Sequence, residues 1–173
     1  MKAANKHAPR LGSVRLPALG MLEPMWMSGG PDYLPVRVLL VGKLLDLHVG
    51  RLLAEKSGLS VAQWRVVAQL GVMHNLSVRE MARQACVDPA EVSRSVASLE
   101  KRGFVARHIN ARDRRSPRFS LTAAGKAHFG SFRPHWRRFQ NALVARLTRA
   151  ERDLTEHALT VIAGACLELL GDY

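Results

Sequence analysis

Between Lys101 and Arg118 the chain carries seven cations (Lys101, Arg102, Arg107, Arg112, Arg114, Arg115 and Arg118) against one acid, Asp113. All but one are arginine, whose planar fork binds phosphate and guanine through paired hydrogen bonds. Arg112, Arg114 and Arg115 share one short turn, Asn110 to Arg115. Like charges crowded on a loop repel one another and need a counter-charge to be worth keeping. A phosphate backbone supplies it, and a narrow minor groove attracts arginine in particular. Asp113 is expected to act as a holder, pairing with a neighbouring guanidinium to fix its direction.

A second surface lies just upstream. Ser77 to Gly103 reads as a helix-turn-helix, with Met81 and Ala82 facing inward, Cys86 and Val87 in the turn, and Asp88 capping the second helix. Val92, Val96 and Leu99 fall at i, i+4 and i+7 and are expected to face a core. Ala90, Ser93, Arg94, Ala97 and Ser98 are then left facing outward. That face is small and polar with a single arginine, where a merely solvated helix would carry Glu, Lys and Gln. Short side chains permit close approach to a major groove, and Arg94 can read guanine or a phosphate. The candidate DNA-contacting set is Ser77, Arg79, Pro89, Ala90, Ser93, Arg94, Ala97, Ser98, Arg102, Arg112, Asp113, Arg114, Arg115 and Arg118.

The whole chain agrees in sign. Its 173 residues hold 26 Lys+Arg and 14 Asp+Glu, a formal net charge of +12. At 47% hydrophobic and 23% charged residues, the composition is that of a globular domain rather than a disordered chain. No apolar stretch approaches a membrane span, and Arg15 and Pro17 interrupt any secretory signal. Cys86 and Cys166 are too few for a disulfide framework, so we read a reduced, cytoplasmic protein in which they are small buried hydrophobes. No Ser/His/Asp set, HExxH, P-loop or GxGxxG occurs, and the seven histidines lack ligand spacing. Neither catalysis, a metal nor another cofactor is expected. A sequence-neutral architectural nucleic-acid-binding protein is the alternative, although it needs no recognition face poor in long side chains.

The elements that would position these surfaces are mainly helical. The expected fold class is mainly α with a small β-hairpin wing, a helix-turn-helix unit flanked at both ends by apolar helices. Residues 1–32, with Pro, Gly and a Met-rich stretch at Met21, Met25 and Met27, read as a flexible extension. A first helix covers about Leu34–Ser57 and ends at Gly58. Ser60–Gln63, Ser77–Glu80 and Thr148–Glu151 are capping-box patterns, Asp88-Pro89 marks another start, and Thr122 offers a further cap. Two short strands flank the arginine turn, with Pro117 at a strand start or edge. A long helix then carries Phe129, Phe132, Trp136, Phe139, Leu143 and Leu147, and Pro134 inside it should kink it. A last helix places Leu154, Ala158, Val161, Ile162, Ala165 and Leu169 on one side. Residues 59–122 form the expected helix-turn-helix and hairpin unit, flanked by apolar helices over residues 33–58 and 123–173.

Four segments together resemble the MarR (multiple antibiotic resistance regulator) family of winged helix-turn-helix repressors. They are Leu59-Ser-Val-Ala-Gln-Trp-Arg65, Ser77-Val-Arg-Glu-Met-Ala82, Val92 to Gly103, and Asp113-Arg-Arg115 with Leu121-Thr-Ala-Ala-Gly125. The resemblance covers about residues 33–171. It implies a winged helix-turn-helix domain over residues 59–122 plus a helical dimerisation domain from residues 33–58 and 123–173. It also implies a homodimer interlocked through its first and last helices, a recognition helix at Asp88–Arg102, and Arg115, held by Asp113, in the minor groove. Peroxide-sensing members carry a reactive cysteine near the start of the first helix, and this chain has none there.

The resemblance further implies release from DNA by a small aromatic acid or phenol. Candidate effector-binding residues are His48, Arg51, Trp64, Arg65, His128 and Phe132, which combine charge for a carboxylate with apolar walls for a ring. An aromatic acyl-CoA thioester would suit the extra cations Arg133, Arg137 and Arg138. The expected partners are therefore double-stranded DNA, a second copy of the chain and an aromatic effector, with no membrane.

Overall fold

A computed structural model describes residues 23–27, 33–110 and 113–171. Helices α1 (Glu23–Met27), α2 (Leu34–Lys56) and α3 (Val61–Met73) are followed by strand β1 (Leu76–Ser77). Then come α4 (Val78–Ala85), α5 (Pro89–Lys101), β2 (Val105–Asn110), β3 (Asp113–Leu121), α6 (Ala123–Val144) and α7 (Arg149–Leu170). Contacts divide the chain into two compact units, residues 1–45 and 46–173. Most of the expected flexible extension lies outside the described residues. Within the first unit, the Arg37 guanidinium donates to the Trp26 carbonyl at 2.9 and 3.1 Å.

The second unit is built on local signals. Ser60, Ser77 and Thr148 each accept from the third helical N–H while Gln63, Glu80 and Glu151 reach back to the cap, so all three boxes close. Asp88 accepts from Ala90 at 2.8 Å with Pro89 at the first helical position, and Thr122 accepts from Gly125 at 3.0 Å. Helix ends are equally regular. Gly58, Val87 and Phe104 each donate to the carbonyl five residues back, at 2.9, 3.1 and 2.9 Å. At Val87 and Phe104 the closure follows a left-handed residue, Cys86 and Gly103, whereas Gly58 is itself left-handed at φ 63. Cys86, at φ 52 and ψ 45, stands in the helix-turn-helix corner.

The core gathers Leu53, Trp64, Val67, Leu70, Met81, Val92, Val96, Leu99, Phe119 and Phe132, contributed by α2, α3, α4, α5, β3 and α6. Val92, Val96 and Leu99 are 4%, 2% and 0% exposed, so the i, i+4, i+7 stripe faces inward as expected. The sheet has the order β1-β3-β2, all antiparallel. The two-residue β1, not expected from sequence, pairs Leu76 with Phe119 and Ser77 with Arg118. Pro117 therefore lies inside the central strand, not at a start or edge. It is tolerated because β1 pairing ends at Arg118 and the β2 register shifts between His108 and Asn110, so no ladder bond requires its missing N–H. Helix α6 runs unbroken with Pro134 inside it.

The start of α6 is locked to the end of α5. Thr122 donates through its backbone to the Phe104 carbonyl at 3.0 Å and through its hydroxyl to the Gly103 carbonyl at 2.7 Å. Gly125 faces the same peptide so closely that any Cβ there would overlap the Phe104 carbonyl oxygen. The Leu-Thr-x-x-Gly pattern is thus a joint between the end of α5, the hairpin and the start of α6. Helix α7 behaves differently: none of its residues is buried, and Leu154, Val161, Leu167 and Leu169 are 57–88% exposed. No described helix is long and apolar enough to cross a membrane.

Candidate nucleic-acid interface

The outward face of α5 is as expected. Pro89, Ala90, Ser93, Arg94 and Ala97 are exposed along it, and Arg79 is exposed on α4. Cysteine placement departs from expectation: Cys86 and Cys166 are both exposed, the first because it occupies the turn and the second because α7 is bare.

Four other candidates have partners within the fold. The Ser98 hydroxyl accepts from the Gln63 side chain at 2.9 Å, tying α5 to the α3 cap. Ser77 is 7% exposed, and its hydroxyl is used by the α4 capping box. Arg102 donates to the Gly58 carbonyl at 3.0 Å, and its guanidinium stands 4.9 Å from the centre of the Phe104 ring. Arg118 donates to the Asn75 carbonyl at 2.6 Å and pairs with Glu80 at 3.2 Å, holding the wing strand against α4. Arg112 lies outside the described residues, as do the side chains of Asp113, Arg114 and Arg115, although the β3 backbone begins at Asp113.

Glu80 is the electrostatic pivot. The Ser77 backbone N–H at 2.7 Å and hydroxyl at 2.8 Å hold its carboxyl below the usual carboxylate range. Burial opposes them and Arg118 assists. A carboxylate that accepts these bonds is favoured in its charged form.

The six candidate effector residues do not converge. Trp64 and Phe132 meet edge to face, with centroids 4.5 Å apart, but both are core. His48 stacks on Phe139 at 4.7 Å. Arg65 pairs with Asp46 at 3.0 Å, and Arg51 is exposed. His128 belongs to the α5–α6 joint instead, stacked on Phe104 at 4.6 Å. Burial first, then the nearby Arg102, pushes its pKa below the ordinary histidine value, and its buried Nε2 has no hydrogen-bond partner.

Two grooves bring candidate residues together with side chains that the candidate sets did not name. One, of about 870 Å³, runs between α4, the start of α5 and β3, with Arg79, Arg83 and Arg118 on its walls. The other, of about 380 Å³, is lined by Trp64, Ala68, Gly71, Val72, Phe129, Arg133 and Trp136. Phe129, Arg133 and Trp136 stand at i, i+4 and i+7 on α6, a one-face spacing that could have revealed the second groove.

Residues 59–116 match the MarR family model. Over 75 residues the chain is 37% identical to the HTH-type transcriptional repressor MdtR of Bacillus subtilis (strain 168), covering 43% of this chain and 48% of MdtR. Over 105 residues it is 28% identical to the uncharacterized HTH-type transcriptional regulator YwaE of the same organism, covering 61% of each chain. The chain thus spans about half to three-fifths of the curated relatives it matches. A MarR/EmrR family transcriptional regulator from Acinetobacter sp. ADP1 superposes with TM-score 0.72 at 20% identity, covering 78% of this chain and 95% of that one. The S. aureus MepR–DNA complex gives 0.68 at 19% identity, covering 78% and 97%. NadR in complex with 4-hydroxyphenylacetate gives 0.64 at 23% identity, covering 74% and 90%. Residues 59–116 are a MarR-family winged helix-turn-helix segment, set in a chain with the fold of MarR-family transcriptional regulators.

Proposed function

We propose that the protein is a sequence-specific DNA-binding transcriptional repressor that works as a homodimer and is released by an aromatic acid, phenol or aromatic acyl-CoA. The observation that carries DNA reading is the outward face of α5, where small exposed residues surround Arg94 in a helix-turn-helix frame. The solved MepR–DNA complex and the repressor MdtR support it. Arg115, steered by Asp113, is assigned to the minor groove, together with Arg112 and Arg114 on the same turn. Because Ser77, Ser98, Arg102 and Arg118 are engaged within the fold, their contribution is to hold the reading surface in place.

Dimerisation through residues 33–58 and 123–173 would cover the bare apolar side chains of α7, including Leu159 and Leu170. Contiguous exposed apolar surface of this kind marks an association site. A two-fold dimer would place two α5 helices about one DNA turn, roughly 34 Å, apart to read a pseudo-palindrome. The Trp64–Phe129–Trp136 groove, with Arg133 at hand for a carboxylate, is the better effector seat, and the bound 4-hydroxyphenylacetate of NadR supports the ligand class. An effector preferring a different helix spacing would lower DNA affinity by its differential affinity for the two states and by no more.

The test is fluorescence anisotropy on the upstream intergenic duplex against a shuffled one, across a salt series, with sedimentation to give the oligomeric state. A preference of about a thousandfold at physiological salt is expected. Arg94→Ala should erase much of it, whereas Arg115→Ala should lower the salt slope by about one unit per lost phosphate contact. Equal binding to both duplexes would favour the sequence-neutral alternative, and equal loss on both in Arg94→Ala would contradict base reading by Arg94.

A further inference from the structure

The groove between α4, the start of α5 and β3 has a charge pattern that the recognition helix and the wing do not explain. Three arginines reach its walls, and only one is neutralised. Arg118 pairs with Glu80 at 3.2 Å and donates to the Asn75 carbonyl. Arg79 and Arg83 line the same groove, both exposed and one helical turn apart on α4. Among the described residues neither guanidinium has an ion-pair partner. Two like charges at i and i+4 on an eight-residue helix oppose its formation, so local structure gives no reason for the pair. Arg83, in the last turn, gains something from the helix dipole, whereas Arg79, in the first turn, is placed against it. The other walls, Ser77, Val78, Ala82, Val87, Pro89 and Pro117, are short and leave the groove open to an approaching strand.

We propose that Arg79 and Arg83 together seat one backbone phosphate of the DNA strand flanking the groove that α5 enters, with Arg83 as a contact outside both the recognition helix and the wing. This rests on the DNA-binding reading above and adds to it a sequence-neutral anchor. The Arg118–Glu80 pair positions the seat: by consuming the only carboxylate among the described residues on its walls, Arg118 leaves Arg79 and Arg83 for the anion. The first helix of a helix-turn-helix crosses the backbone, which is where such an anchor would set the register of Arg94.

Full-length Arg83→Gln, Arg79→Gln and Arg83→Lys are compared with wild type and Arg94→Ala on the upstream and shuffled duplexes across a salt series. Arg83→Gln should weaken binding to both duplexes by the same factor, roughly fivefold near 0.15 M salt, and flatten the salt slope by about 0.9. Arg79→Gln should do the same, the double change should not exceed the loss of one phosphate, and Arg83→Lys should keep most of the slope. Thermal melting of each variant separates a dipole role from a contact: a lowered Tm with an unchanged slope assigns Arg83 to α4 stability and overturns the proposal. An unchanged slope while Arg94→Ala still erases the cognate preference also overturns it and leaves the repressor reading intact. A slope flattened in Arg83→Gln, with a wild type that lacks cognate preference, upholds the phosphate seat and removes sequence-specific reading. No binding to either duplex overturns both.

Discussion

Replacing Gly125 by alanine probes the joint between the end of α5 and the start of α6. In an ordinary helix this change is favourable by about 1 kcal/mol, because glycine loses more backbone entropy than alanine. Here the added methyl would stand 3.0 Å from the Phe104 carbonyl carbon, 3.3 Å from its Cα, and closer still to its oxygen. All three are backbone atoms, so no side chain can swing away, and an ordinary C···O separation is about 3.3–3.6 Å. The α6 start and the Phe104 peptide must part by more than about 1 Å, an overpacking that costs about 1–3 kcal/mol. That displacement also strains the bonds from Thr122 to Phe104 and Gly103, each worth about 1 kcal/mol. Set against the helix gain, the net loss is about 2–4 kcal/mol, which for a chain of this length lowers Tm by roughly 5–12 °C. Urea and thermal unfolding followed by circular dichroism, at one protein concentration, would measure it. Gly130→Ala is the control, since that α6 glycine has nothing within 4 Å and alanine there should be neutral or stabilising. Should Gly125→Ala prove as stable as Gly130→Ala, the joint is looser than its geometry states and the account of the Leu-Thr-x-x-Gly pattern is wrong.

Two pH dependences follow from the site. Glu80 has a folded-state pKa lowered by Ser77, so its contribution is fully present above the unfolded value near 4.5 and is lost as pH falls through the lower folded value. Urea midpoints between pH 6 and pH 3 should therefore fall less in Glu80→Gln than in wild type, and identical acid profiles would remove Glu80 as the pivot between α4 and the wing. His128 is also depressed, so the folded protein binds fewer protons there than the unfolded chain, and stability drops as pH falls below about 6.5. His128→Phe, which can keep the stack on Phe104, should abolish that part of the decline below about pH 6.5. A profile unchanged by this substitution would contradict the burial of a neutral ring.

What the residues alone determined is what neighbouring residues decide together. The boxes at Ser60, Ser77 and Thr148, the Asp88 and Thr122 caps and the Gly58 terminator act over three to five positions, so spacing exposes them. The inward stripe of Val92, Val96 and Leu99 follows from helical period, and its complement on α5 follows from the stripe. Tertiary structure decided the rest. Ser77 and Arg118 looked available for DNA, yet folding brings β3 to α4 across 38 residues and gives Arg118 to Glu80. Ser98 is drawn to Gln63 from 35 residues away. The β1 strand is two residues long, too short for any alternation to announce it. The six effector candidates were chosen by residue type, but rings and charges converge only where helices cross. That placed Arg65 on Asp46, His128 on Phe104, and opened the aromatic groove around Gly71, Phe129 and Arg133. Local capping is legible in a chain because its energy is local; which charge is spent inside the fold and which remains for a partner depends on contacts that form only when distant segments meet.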